Sequence, residues 1–342
     1  MLSTPSIDAG GDGQMLKLLK LSRQPMCEPW THKHLVREHA IMLGSAIDPS
    51  LHLTYTSHLQ SYLTFCKIHD FGIEPTIDNL SFYVVFMCHH IQPRSVNQYL
   101  SGICNQLEHL YPSMHANRSS PLVSRTLAGC LKCLSSSTKH KDPLSAEQLS
   151  QLVHACTEPN HDDLLFVAIM LCTFFGLHQL GEVTQPDRAQ SCNSRKIINR
   201  TSVEIGDDHL QYTLPTHKAN RFFEGNTVRI ARRPEDFDPH LAFTRYLCSR
   251  DARFPWSPQL WLTTAGVVPT RSWYLDRLHL HFGGNIGGHS LRSGGATFFA
   301  AEGWPDDRIQ ALGRWSSDAF RIYIQKNPVI LQALLHARTT SA

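Results

Sequence analysis

The stretch GGHSLRSGGATFFAAEGWPDDRIQALGRWSSDAFRIYI, Gly287 to Ile324, concentrates the most distinctive chemistry of this 342-residue chain. His289 and Arg292 lie three residues apart, so a helix puts them on one face, where both can hold the same anion. Trp315 comes next, and Tyr323 stands eight residues beyond it. Just after Arg292, Gly294 and Gly295 would each cost about 1 kcal/mol in a helix interior. Close approach of another backbone, or of a ligand, is expected to explain the pair.

Upstream, HDDLLFVAIMLCTFFGLHQLGEV (161–183) reads as a buried helix, with Asp162 and Asp163 at its positive end and Gly176 near its stop. Its apolar run, Leu164 to Leu177, is shorter than the roughly 20 residues that span a bilayer. Before it, Ser145 and Gln148 in DPLSAEQLSQLVHAC form a capping-box pattern that starts a new helix. Between about 201 and 231 the period changes, and TSVEIGDDHLQYTLP and NTVRIAR predict a small antiparallel sheet. From Pro239 onward the helical pattern returns to the end of the chain.

The segment from Trp30 to about Ser135 is helical throughout, with Thr31 as an N-cap and Pro75, Pro93, Pro112 and Pro121 as punctuation. It predicts a domain of four or five helices over 29–135. A mobile leader is expected over 1–28, a linker over 136–143, and a second domain, mainly helical with a small sheet, over 144–342. Between His109 and Lys141 no acidic residue occurs, while Arg118, Arg125, Lys132 and Lys139 recur every seven positions. Seven residues are close to two helical turns, so such a row can track phosphates, or simply face solvent.

The His289–Arg292 box, the LGRW turn at Leu312 to Trp315 and the Tyr that follows resemble the tyrosine recombinase (phage integrase) family. The GRWSS stretch is similar to eukaryotic transposon-type members. This resemblance implies an α+β catalytic domain preceded by a helical, SAM-like core-binding domain. It also implies double-stranded DNA as partner, several copies assembled on it, and strand cleavage and rejoining through a 3′-phosphotyrosyl link, as in integration of a mobile element. Tyr323 would be the nucleophile, Arg292 would clamp a non-bridging oxygen, His289 would orient or deprotonate, and Trp315 would donate its indole N–H. The resemblance nominates Lys218, in the turn between the two predicted strands, to protonate the leaving 5′-oxygen. No metal or other cofactor is required, because side chains supply the cations.

One position departs from the family pattern. An Arg is expected shortly after the buried helix and three residues before an acid, and here Gln179 stands three before Glu182. The other register places His178 there, and neither supplies an Arg. Losing one preorganised donor costs about 10² to 10³ in rate. A protonated His178 could restore charge, or Arg188 could reach in; otherwise the chain is an inactive, DNA-binding relic. Taken singly, each residue also has an ordinary role. Tyr323 would pack with Phe320 and Ile324, Trp315 would anchor a core, Arg292 and Lys218 would be surface cations, His289 would start a helix, and Gln179 with Glu182 would form an exposed turn. Their ordered co-occurrence carries the reading.

Composition bounds the rest. Thirty-two Lys and Arg against 29 Asp and Glu, a net charge of +3 and 42% hydrophobic residues describe an ordinary globular chain, not a disordered or collagen-like one. Twenty-one His and 10 Cys invite zinc, but only Cys130 and Cys133 form a CxxC pair, with no second pair to match. The Leu16–Ser22 stretch is too short and too charged for a signal peptide. An intracellular protein with reduced thiols is expected, nuclear in a eukaryotic host.

Overall fold

The computed structural model describes residues 28–47, 49–136, 141–156, 158–215, 225–234 and 236–321. Residues 1–27 of the expected leader, Lys139 with part of the linker, Lys218 and Tyr323 lie outside the described residues. The chain divides into two units, Met1–Leu131 and Lys132–Ala342.

The first unit is helical: α1 (His32–Ser45), α2 (Pro49–Ile68), α3 (Ile77–His90), α4 (Pro93–Leu107), α5 (Met114–Arg118) and α6 (Pro121–Leu134), the last running across the division. Thr31 caps α1 by accepting the His34 N–H. Pro93 and Pro121 open their helices at positions where a missing N–H costs nothing. Apolar residues of α4 recur at helical spacing: Val96, Leu100, Ile103 and Leu107 are all buried. They share a core with Tyr62, Phe65, Leu80 and Tyr83 from α2 and α3. The five-residue α5 brings the described helices to six where four or five were expected, because a short turn of helix leaves too brief a periodicity to read.

The second unit opens with α7 (Ala146–Ala155), where Ser145 and Gln148 exchange the two capping-box hydrogen bonds. It continues through α8 (His161–Phe175), α9 (Leu180–Val183), β1 (Glu204–Ile205), β2 (His209–Leu214) and β3 (Asn226–Ala231), then α10 (Pro239–Arg253), α11 (Arg271–Phe282), α12 (Gly288–Ala301) and α13 (Asp306–Gly313). The three strands form an antiparallel sheet in sequence order, in the region where the period changed. Leu210, Tyr212 and Leu214 alternate inward on β2, opposite Val228 and Ile230 of β3.

α8 is buried on all sides, as a helix apolar all round must be, and packs against α10 and α12. The glycine pair of α12 makes the second contact possible. A Cβ on Gly294 would lie 2.1 Å from the Leu144 carbonyl oxygen, and one on Gly295 would lie 2.1 Å from that of Phe174. The pair therefore admits backbone, not a ligand. Gly176 ends α8 at φ −87°, and it is Leu177 that turns left-handed at φ 48°. Glycine is required at 176 for space: a Cβ there would sit 2.8 Å from Nε2 of His178. Among the described residues no helix is long and apolar enough to cross a membrane.

Candidate functional site

Arg292 leaves α12 at its second turn and is 3% exposed, so it is no surface cation. Its guanidinium donates to the Gly313 carbonyl at 2.5 Å and lies 4.2 Å from the centre of the Trp315 ring. The turn after α13 is shaped for this contact. The indole lies across Gly313, where a Cβ would come within 1.6 Å of the ring. Arg314 then takes the left-handed conformation, at φ 57°. The Trp315 backbone N–H returns to the Gln310 carbonyl, and the centre of its ring lies 5.6 Å from that of Phe320. Arg292 on α12 and Trp315 in the turn after α13 are thus brought together.

The left-handed Arg314 sends its side chain to the end of α8. It donates to the carbonyls of Gly176 and Leu177, both at 3.2 Å, and to the Glu182 carboxylate at 3.0 Å. Glu182 is 7% exposed and also accepts the Gln179 backbone N–H at 3.0 Å. Its neighbour His178 is fully buried, with Nδ1 3.1 Å from Glu182 and Nε2 2.6 Å from the Tyr212 hydroxyl. Burial raises the Tyr212 pKa well above its ordinary value, so its O–H donates to Nε2 and leaves the His178 Nδ1–H to donate to Glu182. Burial, reinforced by Arg314 and Arg292, pushes His178 down to about 4 against the opposing pull of Glu182. Burial acts to raise the Glu182 carboxyl, but the His178 hydrogen bond and the two guanidiniums outweigh it and hold the group at about 2. At neutral pH the cluster therefore contains one carboxylate, two guanidiniums and a neutral imidazole.

Two sequence expectations about this corner need correction. A protonated His178 does not restore the charge missing at 179, because a fully buried imidazole that donates to Glu182 and accepts from Tyr212 stays neutral. Nor is the turn an exposed one: Gln179 is half-buried as the N-cap of α9, and the Glu182 side chain points inward. Arg188 is exposed, at the start of the 3₁₀ turn Ala189–Ser191. The cation that reaches the gap is Arg314. It stood in the LGRW motif, where only its conformation reveals which way it points.

His289 is exposed in the first turn of α12. Of the basic row, Arg125 and Lys132 are exposed and lie seven apart on α6. Arg118 does not continue their face. It ends α5, a separate helix, and donates to Asn97 at 3.1 Å and Ser101 at 2.9 Å on α4. Cys130 is buried and Cys133 exposed on α6, and among the described residues no group of three or more His, Cys, Asp or Glu converges as a metal site.

No protein-family model and no curated protein match this sequence. Solved structures do match by fold. A lambda integrase dimer bound to a COC′ core site aligns over 91% of this chain and 85% of its own, at 12% identity and a TM-score of 0.51. Lambda integrase residues 75–356 bound to DNA align over 84% and 92%, at 13% identity and a TM-score of 0.51. A lambda integrase tetramer bound to a Holliday junction aligns over 91% and 85%, at 14% identity and a TM-score of 0.50. The architecture, mainly helical with a small antiparallel sheet in the second unit, is the tyrosine recombinase fold.

Proposed function

We propose that this protein binds double-stranded DNA and recombines it, cutting and rejoining strands through Tyr323, as a recombinase of the transposon type. The observation that carries this reading is the buried Arg292 held against Trp315, eight residues before Tyr323, in a fold shared with lambda integrase. In the reaction, the Tyr323 oxygen attacks the scissile phosphate, a 3′-phosphotyrosyl bond forms, and the 5′-oxygen leaves with a proton from Lys218. Arg292 neutralises charge on a non-bridging oxygen, His289 orients or deprotonates, and Trp315 donates from its indole. Rejoining reverses these steps, so bond energy is conserved. Arg125 and Lys132 supply phosphate contacts outside the reacting centre. The DNA-bound dimer and tetramer among the structures of like fold support assembly of several copies on DNA.

A second reading, of a DNA-binding protein that no longer cuts, is favoured by Gln179 and by the pairing of Arg314 with Glu182. Nicked duplexes, on which cleavage releases a short strand, separate the two. The first reading expects a covalent protein–DNA adduct in the unaltered protein that is lost in Tyr323→Phe and reduced by Lys218→Ala. An adduct that forms only in Gln179→Arg establishes the second.

A further inference from the structure

We propose that Arg314 is a positioning residue that takes over the work of the cation absent at Gln179, gripping the turn after α8 and setting Trp315 against Arg292. The inference rests on the strand-cleavage reading of this site. Its basis is the number of elements that one side chain joins. From the end of α13, Arg314 donates to the Gly176 and Leu177 carbonyls, where the negative end of the α8 dipole lies, and to Glu182 on α9. A further bond to the Leu312 carbonyl, at 3.0 Å, folds the guanidinium back on its own turn. The side chain is 9% exposed, and its buried Nε has no partner among the described residues.

The turn Gly313–Arg314–Trp315 is therefore held by two arginines at once. Arg314 pins it to the α8–α9 junction, and Arg292 bonds the Gly313 carbonyl while lying over the Trp315 ring. A left-handed backbone at an arginine is uncommon and disfavoured by its Cβ, and here it is what directs the guanidinium inward. Gln179, by contrast, contributes its backbone N–H to Glu182 and brings no charge. The positive charge that the helix end lacks in sequence comes from 135 residues further along the chain, counting from 179 to 314.

The test compares Arg314→Lys, Arg314→Gln, Glu182→Gln/Arg314→Gln and Gln179→Arg/Arg314→Gln. Adduct formation on nicked duplex is read alongside DNA affinity, the Trp315 indole N–H resonance and the pH titration of His178. Arg314→Gln is expected to lower adduct yield by about 10² with DNA affinity unchanged, and Arg314→Lys to fall between. Adding Gln179→Arg should recover most of the loss, which a purely structural strut would not allow. Should Arg314→Gln fail to fold, the variant that also neutralises Glu182 leaves no unpaired buried carboxylate and carries the measurement. Full activity in that double variant overturns the proposal, since balancing Glu182 would then be the whole role of Arg314. If the unaltered protein forms no adduct, the cleavage reading fails while the proposal is judged by resonance. A shifted Trp315 indole together with a raised His178 midpoint in Arg314→Gln sustains it, and an unmoved pair overturns it. Glu182, Tyr212, Arg314 and Arg292 are the groups whose contact or charge sets that midpoint.

Discussion

At the scale of single residues, the corner formed by His178, Glu182 and Arg314 makes stability depend on pH in a defined direction. His178 is held near 4 in the folded protein against an ordinary 6.5, so the unfolded chain binds the extra proton between those values, and stability falls as pH drops from 6.5 through 4. Glu182, held near 2 against an ordinary 4.5, adds a second loss as pH drops from 4.5 through 2. The His178 part amounts to roughly 3 kcal/mol when the full shift is realised. Thermal melting followed from pH 7 downward should therefore show Tm declining as soon as pH passes below about 6.5. In His178→Gln the decline between 6.5 and 4 should flatten; an unchanged slope would remove His178 as its source. None of this was readable beforehand. The motif residues Arg292 and Trp315 stood out because their order and spacing are local facts. The inward path of Arg314 depends on one backbone angle and on a partner helix distant in sequence.

Elements show the same division between local and distant information. The capping box of α7, the start of α1 and the extent of the sheet follow from neighbours within a few residues, and each lies where the pattern put it. The seven-residue basic row failed at Arg118 for the same reason in reverse. The spacing holds, but the chain breaks between α5 and α6, so no common face persists. The glycine pair of α12 is anomalous for a helix interior, and its cause lies on Leu144 and Phe174, far away in sequence. Helix propensity alone says that Gly294→Ala and Gly295→Ala stabilise by about 1 kcal/mol each. Both Cβ atoms would meet backbone oxygen at 2.1 Å, and backbone cannot rotate away. The packing cost, on the order of 1 to 3 kcal/mol, should prevail and make both variants less stable in urea titrations. Either variant proving more stable would mean that the helices separate at little cost.

For the molecule as a whole, the charge of +3 is too small to predict nucleic acid binding, and the informative quantity is where exposed cations lie. Arg125 and Lys132 are exposed on one helix, whereas Arg118 and Arg314 are occupied by neighbours within the protein. Arg125→Gln/Lys132→Gln should therefore reduce the slope of log K against log salt by roughly 2, without changing sequence preference. Binding isotherms at several salt concentrations would measure it, and an unaltered slope would take both residues out of the interface. Backbone contact between α12 and α8 reaches further still. Because two peptide carbonyls of the core lie where side chains would otherwise begin, the middle of α12 has no room to open by itself. Its amide protons should exchange with deuterated water only as fast as the second unit unfolds, and heat inactivation should coincide with melting of that unit.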